Sequence, residues 1–155
     1  MPTLETAPAS AVSFIKQSRV IRAPRSKVYE AWIKPEIMQQ WFCPGERHCP
    51  LATLDVREGG AYRIEIHVNP GAELPPQMSV AEGVYTEIVP NEKLQFTWKA
   101  SWNPGADSLV TVTFADAPGG TEVTILHERI SGDGSQGYSQ GWANCLEKLG
   151  VVLEA

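Results

Sequence analysis

Along the chain the spacing of apolar positions switches between the period of a strand and that of a helix. Val12 to Arg22 reads as a first strand carrying Val20 and Ile21, and Pro24 ends it because proline cannot donate to a ladder. In Ser26 to Ile33 the residues Val28, Ala31 and Trp32 recur at helical spacing, with Ser26 as the expected cap. A second short helix runs from Pro35 to Trp41, since proline is tolerated in a first turn, and brings Ile37, Met38, Trp41 and Phe42.

From Pro50 the period is two. Leu51 to Arg57 reads as a strand and Glu58-Gly59-Gly60 as a turn. Tyr62, Ile64, Ile66 and Val68 then share one face, while Arg63, Glu65 and His67 take the other, as in a sheet wet on one side. Asn69 to Pro76 is a loop rich in proline and glycine. Met78 to Val89 is a long strand with a bulge or bend expected at Gly83. After the turn at Pro90-Asn91-Glu92, Leu94, Phe96 and Trp98 alternate with polar residues, and Asn103-Pro104-Gly105 breaks the chain. Leu109 to Phe114 and Val123 to His127 are the last two strands, joined by Pro118-Gly119-Gly120. Ser131 to Gln136 reads as a loop. Gly137 to Glu154 is helical, with Trp142, Leu146, Leu149 and Leu153 on one stripe widened by Ala143, Cys145 and Val152.

This order predicts an α+β helix-grip fold. Sequential hairpins give a curved antiparallel sheet of about six or seven strands, with two short helices after the first. Only the long C-terminal helix is large enough to cover the apolar face, so the sheet wraps round it. Residues 1–11 are expected to be a disordered lead-in and residues 12–155 one domain. At 155 residues the chain can bury a core without metal or disulfide staples.

Charge narrows the partners. The formal net charge is −5 and no segment concentrates Lys and Arg, so neither nucleic acid nor a membrane surface is an expected partner. No apolar run approaches a spanning length, and the first residues lack the basic start of a secretory signal, which makes a cytoplasmic location the expectation. Three cysteines, an odd number, argue against a disulfide framework. Cys43, His48 and Cys49 cluster, but their spacing fits no usual zinc pattern, so loop or buried thiols are expected and no metal or other cofactor.

Several segments together resemble the heat-shock-protein-90 ATPase activator homologue family of the START and Bet v-like (SRPBCC) superfamily. They are residues 23–32 (APRSKVYEAW), Gln40-Trp41-Phe42, residues 55–60 (DVREGG), Glu82-Gly83-Val84-Tyr85 leading to residues 94–98 (LQFTW), residues 120–127 (GTEVTILH) and residues 141–149 (GWANCLEKL). The order covers about Arg22 to Leu153, with Phe42 where the family usually has a second tryptophan. The resemblance implies the helix-grip fold, a cavity between sheet and long helix, and a link to the stress response, without implying one chemistry. Eukaryotic activators pair such a domain with a separate N-terminal domain, for which 155 residues leave no room.

With that cavity implied, the rings become candidate lining. Trp41, Phe42, Tyr62, Ile64, Ile66, Met78, Phe96, Trp98, Phe114, Trp142 and Leu146 would line a site for a small apolar or aromatic ligand, with Tyr85 and His127 as polar anchors. The way in would lie between the helices near Trp41 and the loop around Gly71 to Gln77. If Val123 and Ile125 face inward so does His127, where it could act as a general base or simply be satisfied by the protein. Asp55 and Arg57 beside the glycine pair read as a structural ion pair, and His67 as a solvated residue. There is no nucleophile elbow, no phosphate loop and no outstanding carboxylate pair. The leading expectation is therefore a non-catalytic binding protein. A module that binds and regulates a chaperone, and a small cyclase- or hydrolase-like enzyme using His127, are the alternatives. Exposed apolar residues on an edge strand could support a homodimer.

Overall fold

Six of seven runs of alternating residues pair in sequence, each running against its predecessor, while the first run is separated from the second by two short helices. The structure, a computed structural model, describes residues 13–43, 45, 47–72, 78–130 and 134–154. The proposed lead-in and parts of two loops, 73–77 and 131–133, lie outside the described residues. The elements are β1 (Ser13–Ile21), α1 (Arg25–Ile33), α2 (Pro35–Trp41), β2 (Arg47–Leu54), β3 (Ala61–Val68), β4 (Met78–Val89), β5 (Lys93–Ala100), β6 (Asn103–Ala117), β7 (Gly120–Ile130) and α3 (Gly134–Glu154).

All neighbouring strands are antiparallel, in the order β1-β7-β6-β5-β4-β3-β2. β2 to β7 thus form a meander, and β1 closes onto β7 at the far edge. The sheet curls into a half-barrel and α3 lies in its grip, which makes this an α+β helix-grip fold.

The faces follow period two. Tyr62, Ile64 and Ile66 of β3, Leu94, Phe96 and Trp98 of β5, Val110, Val112 and Phe114 of β6, and Val123, Ile125 and His127 of β7 are all buried. The alternation then breaks at Arg129, whose φ of 61° marks a bulge. Across it β1 advances two residues, from Ser13 to Ile15, while β7 spans three, from Ile130 to His127. That extra residue turns Ile130 back to the core.

Five local expectations are corrected. β2 runs over 47–54 rather than 51–57: it is an edge strand, so Pro50 costs no ladder bond, and the register simply shifts between His48 and Leu51. The break at Asn103-Pro104-Gly105 is instead a register irregularity within the pairing of β5 and β6, beyond the part of β6 that pairs with β7. The last helix begins at Gly134 rather than Gly137. Pro24, not Ser26, is the N-cap of α1, with no side-chain cap bond. Gly83 is no bulge. A Cβ there would collide with the Thr97 carbonyl, so glycine lets β4 and β5 approach, and the shift in that pair falls between Tyr85 and Glu87.

α3 is tied along β1. Gln17 donates from Nε2 to Ser139 Oγ at 2.8 Å and to the Ser139 carbonyl at 3.1 Å. Near the other end the Arg22 amide donates to Glu154 Oε2 at 2.9 Å, and this bond chiefly holds the Glu154 carboxyl below its usual range. Lys27 Nζ reaches the Leu153 carbonyl at 3.2 Å, which suits a cation at a helix C-terminus. The two short helices are below the length at which a helix is stable alone, so packing of Val28, Tyr29, Ala31, Trp32, Met38 and Trp41 against the sheet holds them. No helix among the described residues is long and apolar enough to cross a membrane.

Candidate functional site

The concave side of the sheet has two covers, and they differ. α3 places Trp142 over β5 and β7. The Trp142 ring lies 5.3 Å from Trp98, 6.0 Å from Phe42 and 6.2 Å from both Trp32 and His127. The Tyr138 ring lies 4.4 Å from that of His127, tilted by 50°, and its hydroxyl accepts the Trp98 indole N–H at 3.0 Å. Cys145 donates from Sγ to the Phe42 carbonyl at 2.8 Å, and burial pushes its thiol up to about 12. Trp142 therefore packs against rings of the sheet, of α1 and of the segment after α2, and Leu146 is buried on the same helix.

His127 is fully buried inside this cluster. Its tautomer follows from its partners. The Trp142 indole can only donate, so Nδ1 is an acceptor at 3.1 Å. Nε2 then carries the hydrogen and gives it to Ser108 Oγ at 2.7 Å, and Ser108 donates onward to the Trp98 carbonyl at 3.3 Å. Both ring nitrogens are occupied. In a serine–histidine catalytic pair Nε2 must accept from the hydroxyl; here the indole imposes the opposite arrangement. Burial also lowers the His127 pKa to about 3, so the ring is neutral. Of the two outcomes expected for His127, the structure shows it satisfied by the protein on both nitrogens.

The second cover is the α1–α2 pair, with α2 against β2 and α1 against β6 and β7. Here the packing leaves a gap of about 20 Å³, lined by Trp32, Met38, Phe42, Leu54, Tyr62, Ile64, Tyr85, Leu94, Phe96 and Trp98. That is room for about one water. The gap is partly open, and Leu54 is the lining residue that is only half-buried. Its rings meet edge to face: Tyr62 and Phe96 at 5.3 Å, and Tyr85 and Phe96 at 6.1 Å. The Tyr62 hydroxyl donates to the Thr97 carbonyl at 2.6 Å, and burial raises the pKa of both tyrosines.

Of the residues expected to line a pocket, Phe42, Tyr62, Ile64, Tyr85, Phe96 and Trp98 stand round this gap. Trp41, Ile66, Phe114, His127, Trp142 and Leu146 are buried elsewhere. Trp41 donates to the Ala31 carbonyl at 3.0 Å, and Phe114 packs on Tyr29 at 5.6 Å. Met78 is corrected outright, being 53% exposed. It pairs with His67 on the outer face. Seven residues separate it from inward-facing Tyr85, an odd number, so period two could have told the two apart. Trp32, Met38, Leu54 and Leu94 were missed as lining. A helical stripe shows that Trp32 and Met38 are buried but not against what.

The remaining candidates are structural. Among the described residues no group of three or more His, Cys, Asp or Glu side chains could hold a metal. His48 is engaged with Asn69 Oδ1 at 2.7 Å. The Cys43 and Cys49 thiols share a hydrogen bond that lowers the pKa of Cys49 and raises that of Cys43. Asp55 and Arg57 form an exposed ion pair at 3.0 Å. His67 is half-buried beside Glu65 Oε1 at 3.5 Å, rather than freely solvated.

Comparisons agree with this architecture. A protein of Chromobacterium violaceum is 28% identical, with a TM-score of 0.80 over 92% of this chain and 99% of its own. A putative uncharacterized protein from Rhizobium leguminosarum is 29% identical, with a TM-score of 0.76 over 94% of this chain and 96% of its own. The AHSA1-like protein of Aeromonas hydrophila, at 20% identity and a TM-score of 0.77 over 92% of each chain, shares the fold. No curated protein matches. The sequence pattern described as "Activator of Hsp90 ATPase homolog 1-like protein" matches residues 22–154. With nearly the whole chain so matched, it belongs to the Activator of Hsp90 ATPase homolog 1-like family, within the SRPBCC superfamily.

Proposed function

We infer that the protein binds a small, mainly apolar molecule in the gap under α1 and α2. One observation carries this reading: ten apolar or aromatic side chains from two helices, the residue after α2 and four strands converge on a space that they do not fill. A lining of apolar and aromatic side chains is the usual character of a small-molecule site. The gap as it stands admits only about a water, so a larger guest requires the short helices to move outward. They are the covers best suited to yield, since tertiary contacts alone sustain them. With His127 committed on both nitrogens, binding without turnover is the simpler reading.

Tryptophan fluorescence tests this directly, because Trp32 and Trp98 stand in the wall. Titration with lipids, polyketides and simple aromatics is expected to quench emission and raise the melting temperature for at least one class. No response from any class would count against the reading.

The small size of the gap favours a second reading, a module that contacts a chaperone ATPase. Its surface would be the outer face of β2 to β4, where Leu51, Met78 and Val84 are exposed. Capture of the host chaperone with a changed ATPase rate, undisturbed by Leu54→Phe but lost on charging Val84, would support that alternative.

A further inference from the structure

Four tryptophans are buried among the described residues, and three commit their indole N–H to the protein. Trp41 donates to the Ala31 carbonyl at 3.0 Å, Trp98 to the Tyr138 hydroxyl at 3.0 Å and Trp142 to His127 Nδ1 at 3.1 Å. Trp32 is the exception. It is 2% exposed, and its Nε1 is buried with no acceptor among the described residues. The Trp41 ring, 4.6 Å away and tilted by 57°, offers at most a weak π acceptor. Buried donors are almost always paired, and an orphan is costly to keep. This one belongs to a residue in the wall of the gap.

We propose that the Trp32 indole N–H is the polar anchor of the site, and that the guest is a neutral, largely apolar molecule presenting one acceptor oxygen, of the carbonyl type. This rests on the reading that the gap binds a small molecule. The other lining groups narrow the class. Tyr62 has already given its hydrogen to the Thr97 carbonyl and Trp98 has given its own to Tyr138, which leaves the Tyr85 hydroxyl as the other donor in the wall, and it too would favour a guest that brings an acceptor oxygen. No lining residue is cationic, so a carboxylate entering the gap would be buried without a counter-charge. A pure hydrocarbon would leave the N–H as it is. A ketone or aldehyde oxygen satisfies it, and its carbon frame meets rings and methyl groups.

The test uses three probes of one size: acetophenone, ethylbenzene and benzoate, titrated against the full chain and against Trp32→Phe, which keeps a ring and removes the N–H. The ratio of acetophenone to ethylbenzene affinity is expected to fall about five- to tenfold in the variant, with benzoate the weakest ligand of the wild type. In ¹⁵N-tryptophan spectra of the wild type, the Trp32 indole proton is expected to move downfield with acetophenone and not with ethylbenzene. That signal decides the matter should Trp32→Phe fail to fold. If both neutral probes bind, yet the ratio is unchanged and the indole signal stays in place, the anchor is refuted while the site survives. Benzoate binding at least as tightly as acetophenone refutes the neutral class. If none of the probes binds, the site itself is refuted, and the anchor with it.

Discussion

The two covers of the sheet show how one apolar face can serve two ends. Under α3 the rings interlock with a satisfied polar chain running from Trp142 through His127 and Ser108 to the Trp98 carbonyl. Under α1 and α2 the rings are as numerous, but a small gap persists and Trp32 holds an unpartnered N–H. Aromatic content is nearly the same on both sides. What differs is whether each polar atom has its partner inside the protein.

The largest effect is expected under α3. Trp142→Ala should cost about 3–5 kcal/mol in denaturant unfolding, since it opens a void and strips His127 Nδ1 of its donor. A loss below about 1 kcal/mol would mean that this half is not the rigid one. Protonation of His127 should act on the same cluster. Its folded pKa of about 3 lies below the ordinary 6.5, so the unfolded chain takes up the proton first as pH falls. The stability associated with a neutral ring is therefore complete above about pH 6.5 and declines toward pH 3. The slope is up to about 1.4 kcal/mol per pH unit. His127→Gln should flatten that component in melts recorded across this range.

Matched indole variants give a smaller and sharper contrast. Trp41→Phe breaks a bond to the Ala31 carbonyl and should be about 1 kcal/mol more destabilising than Trp32→Phe, which breaks none. Equal costs would imply that Trp32 has an acceptor after all. Least of all should stability change in Leu54→Phe, which adds volume at the open side of the gap. We expect a shift within about 0.5 kcal/mol, together with loss of probe binding in the fluorescence titration.

Much of the fold was legible because period and punctuation are local. Leu94, Phe96 and Trp98 announce an inward face, and Gly119, at φ 82°, announces its hairpin. The position of the gap was not legible. Period two tells which face of β3 and β5 is buried, but not whether α3 or the α1–α2 pair lies above it. The reading from sequence put Trp142 beside a ligand space, whereas the gap described here is lined by other residues and Trp142 packs against rings. The role of His127 was hidden for a similar reason. Its partners Ser108 and Trp142 stand 19 and 15 residues away in the chain, and only their meeting fixes the tautomer. Met78 was the avoidable error, since parity along β4 already placed it opposite Tyr85.

Crystals held under xenon would test the division most directly, because xenon enters apolar voids and needs no polar partner. We expect one xenon site, bounded by Trp32, Phe42, Tyr62, Ile64 and Phe96, and none beside Trp142, His127 and Tyr138. Xenon lodged under α3, or in neither half, would contradict the claim that the space for a guest lies beneath the two short helices.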